Sequence, residues 1–394
     1  MDLVVFKTEE KLMNFFKKNR ILKQSHLLKP FLIIYLVIVH TGWLFAQSFD
    51  FPVKGYGISF GNSRTFTGLR FNFRDKRVDR IDGINVTFWT SIENESAVVR
   101  GISLGILPEG GDLSFLQVGL AGVAAERKLT GLSFGLLGAG SGEDVSGMTI
   151  GGLAAGAGQN VSGITFGGLA AGAGENLSGI TVGGLAAGAG HSLKGITLGG
   201  LAAGAGEDLI GLTVGGLAAG AGHNMKGISF GILGVGAGED LWGITIAGGG
   251  SGAGNNATGL NIGGLGVGAG NILTGLNIGG LGIGAGNEIR GLSFAGLGMG
   301  APQIKGISVA GLGVGAVEMT GFSAALAHVR IEDDGILTGF AASAFNYIKG
   351  VVKGVTLGVV NYAYEVHGIQ LGLVNYVADN PAGLKILPIF NTNF

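Results

Sequence analysis

Residues 195–210 read GITLGGLAAGAGEDLI, and residues 179–194 and 211–226 repeat that line with small changes. Units of this kind start at Gly131, Gly147, Gly163, Gly179, Gly195, Gly211, Gly227, Gly243, Gly259 and Gly275, each 16 residues after the last, and another starts at Gly291. Looser starts follow at Gly306, Gly321, Gly339, Gly354, Gly368 and Gly383, and weaker ones precede at Gly57, Gly68, Gly83, Gly101 and Phe115. A fixed period defines the architecture and must be read before local structure. It divides the chain into a cap with irregular repeats (47–130), regular repeats (131–305), and degenerate repeats with a closing cap (306–394). Together these form one elongated domain.

Within a unit, counted from its first glycine, the second and fourth positions are apolar, here Ile196 and Leu198. The seventh, ninth and eleventh follow as Leu201, Ala203 and Ala205, and the fifteenth is apolar in every regular unit, here Leu209. Two runs of period two mean two strands. Their phase slips at Gly199-Gly200, which marks a corner, since glycine tolerates dihedrals that other residues do not. A helix would need apolar spacings of three and four, and each interior glycine would cost it about 1 kcal/mol. Equal units stack most simply as coils of a β-solenoid, about 4.8 Å apart. The twenty-two starts then predict a rod on the order of 100 Å. The expected interior holds Ile196, Leu198, Leu201, Ala203, Ala205 and Leu209, with Thr197, Ala202 and the Glu207-Asp208 turn outside. The unit at 179–190 places Ile180, Val182 and Leu185 inside by the same reading.

The thirteenth position carries a second pattern: Glu143, Gln159, Glu175, His191, Glu207, His223, Glu239, Asn255. Acids never follow one another there. Lys194 and Lys226, at the sixteenth position, both fall in histidine units. Stacked glutamates would repel at coil spacing, so a solenoid explains the alternation. An antiparallel transmembrane β-barrel explains it too, by sending alternate turns to opposite ends, and the terminal Phe394 suits that fold. Facial polarity favours the solenoid, because neither face of a continuous strand would supply the polar lumen of a large barrel.

Composition limits the function. The chain has 394 residues, 82 of them glycine, only 13% charged and 46% hydrophobic, which is unlike a disordered chain. A net charge of −1 gives no electrostatic footprint for nucleic acid. There is no cysteine, which excludes disulfides, thiolate zinc sites, a thiol nucleophile and a lipidated cysteine. Lys17, Lys18, Arg20, Lys23 and Lys29 precede the apolar run 31–45, FLIIYLVIVHTGWLF, and AQSFD follows. This reads as a signal peptide over 1–46 cut after Ala46, with Met1 or Met13 as the start. The run falls short of the roughly 20 residues a spanning helix needs.

No motif points to catalysis, a cofactor or a metal, so no site residue is assigned and the chain is read as non-enzymatic. GLGVGAG (264–270) has Ala269 where a dinucleotide loop needs glycine. GAGED (204–208, 236–240) echoes a calcium turn at the wrong period. His191, His223, His328 and His367 lack a nucleophile context. A glycan-cleaving β-helix would need a cleft of carboxylates and basic residues, and the repeats are nearly free of Arg and Lys. Two irregular stretches, RDKRVDRID (74–82) and HVRIEDDG (328–335), read as an end face and a bulging loop.

The units GFAASAFNY (339–347), GVTLGVVNY (354–362) and GIQLGLVNY (368–376), with GLRFNFRD (68–75), GINVTFW (83–89) and the ending LPIFNTNF (387–394), carry a resemblance. They are similar to the G-h-Q-h-G-h-h-N repeats of bacterial surface-repeat proteins of spirochaetes and Bacteroidetes. The central GGLAAGAG units carry alanine where that motif has asparagine. The resemblance implies an exported protein at the cell surface or outer membrane of a Gram-negative bacterium. Its expected partner is an unknown surface ligand or envelope component, and its role is structural or adhesive. The barrel alternative implies passage of solutes.

Overall fold

The computed structural model describes residues 48–393, so the expected signal peptide at 1–46 lies outside the described residues. Every regular element described is a β-strand. The chain winds as a β-solenoid of about 18 turns with coils of about 16 residues. At the coil spacing of about 4.8 Å this makes a rod roughly 90 Å long. Strands pair parallel and in register with their equivalents one coil away, as Leu193–Gly199 does with Leu209–Gly215 and Ala202–Ala205 with Ala218–Ala221. A transmembrane barrel would pair successive strands antiparallel, so the parallel register excludes that alternative.

Each regular coil has a long strand of seven or eight residues and a short strand of four, as in Leu193–Gly199 and Ala202–Ala205. A tight corner at Gly200-Leu201 joins them, and a polar turn at 206–208 closes the coil. The first position strongly favours glycine. Gly195 has φ +121°, and a Cβ there would lie 2.1 Å from the carbonyl oxygen of Gly179 in the preceding coil. Glycines hold this column from Gly57 to Gly368 except at Phe115, which sits at φ 91°. Gly383 falls in the closing turn with open space around it and starts no further coil, contrary to the sequence period.

Which side chains face inward differs from the sequence expectation. Leu209 and Ala203 are buried as expected, Ala205 packs against the core, and Ala202 is exposed. Ile196, Leu198 and Leu201, however, face outward at 38%, 37% and 47% exposure, while Thr197 is fully buried. Ile180 and Leu185 are likewise exposed and Val182 half-exposed, with Thr181 inside. The reason is parity. The strand runs unbroken from Leu193 to Gly199, and side chains alternate along it. Burying Leu193 therefore turns Gly195, Thr197 and Gly199 inward and Ile196 and Leu198 outward. The inner column reads Thr165, Thr181, Thr197, Thr213, and those four hydroxyls have no hydrogen-bond partner among the described residues. An unpaired buried hydroxyl costs roughly 1–3 kcal/mol. Thr197→Val, which keeps the shape, is expected to stabilise the protein by about 1 kcal/mol, measured as a rise in urea midpoint at unchanged m.

Antiparallel strands close both ends of the parallel stack. Phe49–Val53 pairs antiparallel with Tyr56–Phe60, and Ile386–Asn391 pairs antiparallel with the last coil of the continuous segment His328–Val377. Residues 332–335 bulge from their coil, since Ala316 pairs Ile331 but Glu318 pairs Ile336.

Candidate functional site

Four features stand out: two surfaces that run along the rod and two side-chain networks near its ends. The first is the polar turn edge. His191 donates its backbone N–H to Glu175 O, Glu207 to His191 O, and His223 to Glu207 O, at 2.8, 2.8 and 2.9 Å. Acid and histidine thus sit side by side along one edge, which is the arrangement that avoids stacked like charges. Cysteines at Glu207 and His223, in a chain with no other cysteine, are expected to form a disulfide on mild oxidation. Neighbouring coils place them within the 4.4–6.8 Å Cα range that a disulfide spans. Reduced-versus-oxidised mobility on a gel reads the result.

Next to this edge, the position before each first glycine holds Lys194, Lys226, Trp242, Arg290 and Lys305, with serine, threonine or Ile210 in the other regular coils. The Lys226 ammonium lies 4.5 Å from the centre of the Trp242 ring. Arg290 and Lys305 reach the Glu288 carboxylate at 2.8 and 3.2 Å. Hydrogen bonding from Arg290 leads in holding that carboxyl below its ordinary pKa; burial opposes it and Lys305 adds to it.

The second surface is apolar. The second, fourth and seventh positions form three rows along the rod, and in the regular coils they contain no polar side chain. Towards the carboxy-terminal end the fourth row borders a trough of about 1280 Å³ running from Ile278 to Leu373, with Phe294, Leu326 and Leu357 along its walls. Sequence reasoning assigned these rows to the core, so it missed this surface. The parity of the fifteenth position was the signal that could have found it.

The third feature is internal and confined to the amino-terminal coils. Arg70 occupies the inner column that threonine fills later, with its side chain fully buried. It donates to Asp75 at 2.5 Å, Asn85 at 2.6 Å and Asn62 at 2.9 Å. Asp75 also accepts from Asn85 and Thr87, each at 2.8 Å. Burial raises the Asp75 pKa, but the Arg70 charge and the donors around it outweigh burial and hold the carboxyl below its ordinary value. RDKRVDRID therefore divides: Asp75 is an internal tie, while Arg77, Asp79 and Arg80 face solvent.

The fourth is an asparagine ladder in the last coils. Asn346 donates to Asn361 Oδ1 and Asn361 to Asn375 Oδ1, each at 2.7 Å. Asn346 and Asn361 also donate to the corner carbonyls of Leu357 and Leu371 at 2.9 Å. The units from Gly354 and Gly368 have one corner glycine, Gly358 and Gly372, and the unit from Gly339 has Ser343 there, where the central unit from Gly195 has two. Gly358 leaves Asn346 room, since a Cβ there would lie 2.7 Å from Asn346 Nδ2. Beside the ladder, Tyr347, Tyr362 and Tyr376 form a column of rings with centres 4.9 and 5.2 Å apart.

The histidines do not converge. His191 and His223 lie in the turn column, His328 opens its strand, and His367 pairs with Glu365 at 2.8 Å. GLGVGAG is no anion cradle, because Gly264, Gly266 and Gly270 donate their N–H groups to the preceding coil. Among the described residues no group of three or more His, Asp or Glu is placed to hold a metal ion. Comparison with family models, curated proteins and solved structures finds no match to this chain.

Proposed function

We propose that this chain is an exported, non-enzymatic repeat protein of a Gram-negative envelope, working structurally or adhesively by presenting a long regular face. The observation that carries this reading is the in-register stack of about 18 turns. The apolar surface rows recur about every 4.8 Å along the rod, so one weak contact is multiplied along its length, the geometry of avidity. The basic and apolar run ending at Ala46 and the resemblance to bacterial surface repeats support export. Expression of a tagged chain in a Gram-negative host tests it. The expected product starts at Gln47, fractionates with the envelope and is cut by protease added to intact cells. A cytosolic product that keeps residues 1–46 overturns the reading.

A further inference from the structure

We propose that the apolar side of the rod is a lipid-facing surface. The protein lies along a bilayer leaflet with its leucine corner among the acyl chains and its carboxylate turns in water. The proposal deepens the envelope reading by naming what holds the protein there, and rests on it only for where lipid is met.

The first argument is area. Ile196, Leu198 and Leu201 at 38%, 37% and 47% exposure leave roughly 200 Å² of apolar side chain per coil, or about 2,000 Å² over the regular coils. The largest patch on a typical monomer is about 300–600 Å². The second is shape. The apolar surface turns a corner: second and fourth rows on the long sheet, leucines at the corner, alanine and glycine on the short sheet. A second copy laid flat on the long sheet would leave the leucine corner wet, whereas a leaflet surrounds all three sides.

The third is hydrogen bonding. Protein interfaces carry about one hydrogen bond per 100–200 Å², and these rows offer no polar side chain to fix a protein partner's register. Hydrocarbon instead demands that backbone groups be satisfied internally. At the corner Gly200, Leu201 and Ala202 donate to Gly183 O, Leu185 O and Leu185 O at 3.1, 2.7 and 3.1 Å. The fourth is the boundary. The column that carries Lys194, Lys226, Trp242, Arg290 and Lys305 among serines and threonines lies between the apolar rows and the polar turn, matching the depth at which lysine, arginine and tryptophan anchor in headgroups. An apolar side backed by a charged one is the pattern of elements that lie in the membrane interface. The trough beside the fourth row, spanning seven coils or roughly 30 Å, is long enough to seat an extended acyl chain.

The absence of cysteine gives a direct test. Full-length Leu201→Cys and Glu207→Cys proteins are labelled with an environment-sensitive fluorophore and mixed with phosphatidylcholine vesicles. The expected result is a blue shift at 201, quenched by doxyl groups on the acyl chains, with 207 unchanged. Leu185→Glu/Leu201→Glu/Leu217→Glu, all at outward positions, is expected to weaken vesicle association at least tenfold while the β circular dichroism signal persists. Equal behaviour of the two labels overturns the proposal, as happens if only residues 31–45 insert. A concentration-dependent shift at 201 without vesicles also overturns it, and assigns the surface to a second copy. Neither outcome alters the cell-fractionation result, so failure here is distinguishable from failure of the envelope reading.

Discussion

Asp75→Asn is expected to unwind the amino-terminal coils and leave the central ones standing. The change strips the counter-charge from Arg70, whose side chain is fully buried while that of Asp75 is 4% exposed. Removing one member of a buried ion pair costs about 3–5 kcal/mol, because the remaining charge cannot recover its hydration. Arg70→Met with Asp75→Asn removes the stranded charge and should recover roughly half of that loss. It does not recover the bonds Arg70 gives Asn85 and Asn62. A solenoid is held by nearest-neighbour contacts, so damage stays near its origin. Hydrogen exchange by mass spectrometry should show lost protection over residues 56–105 and little change beyond Gly131. The pH dependence follows from the lowered Asp75 pKa. Its contribution is complete above the unfolded carboxylate value, about 3.9. It declines as pH falls from there through the lower folded value. The wild-type protein should lose amino-terminal protection in that acid window, and Asp75→Asn should show no such step.

The second large effect is expected at the glycine column. Gly211 has φ +128°, and a Cβ there would sit 2.0 Å from the Gly195 carbonyl oxygen. That obstacle is backbone of the neighbouring coil, held in place by its own ladder. Strain at such a φ costs about 1–3 kcal/mol, and displacing the carbonyl adds to it. Gly211→Ala should therefore cost about 3 kcal/mol or more and open protection across residues 193–231. Gly234 is the matched control: a Cβ there would first meet Gly250 O at 3.6 Å, and neighbouring coils carry Ala202 and Ala218 at the same position. Gly234→Ala should be neutral or stabilising by up to about 1 kcal/mol.

The architecture was legible because most of the regular repeats carry the same punctuation. The Gly199-Gly200 pair marked the corner, the Glu207-Asp208 pair marked the turn, and period two on either side marked strands. The sidedness was not legible from hydrophobicity. Placing Ile196 and Leu198 inside assumes water on the outside and an interior wide enough for them. The real interior is lined by Thr197, Gly199, Ala203 and Ala205, with one large residue per coil, Leu209, at its end. Alternation from that leucine decides the question, because it is the first residue of the next strand, Leu209–Gly215. Arg70 was equally hidden. Its column holds mostly serine, asparagine, threonine or glutamine in other coils, and only the fold brings Asp75 and Asn85 to its guanidinium.

The strict coil-to-coil register has a consequence for inheritance. Coils such as 163–178 and 179–194 are nearly interchangeable in sequence, so unequal exchange between their coding segments adds or removes whole turns. Each such event leaves both ends, every corner and every surface row in phase. Reach is then the trait on which selection acts most freely, and two lineages can differ in length without differing in anything a single coil does.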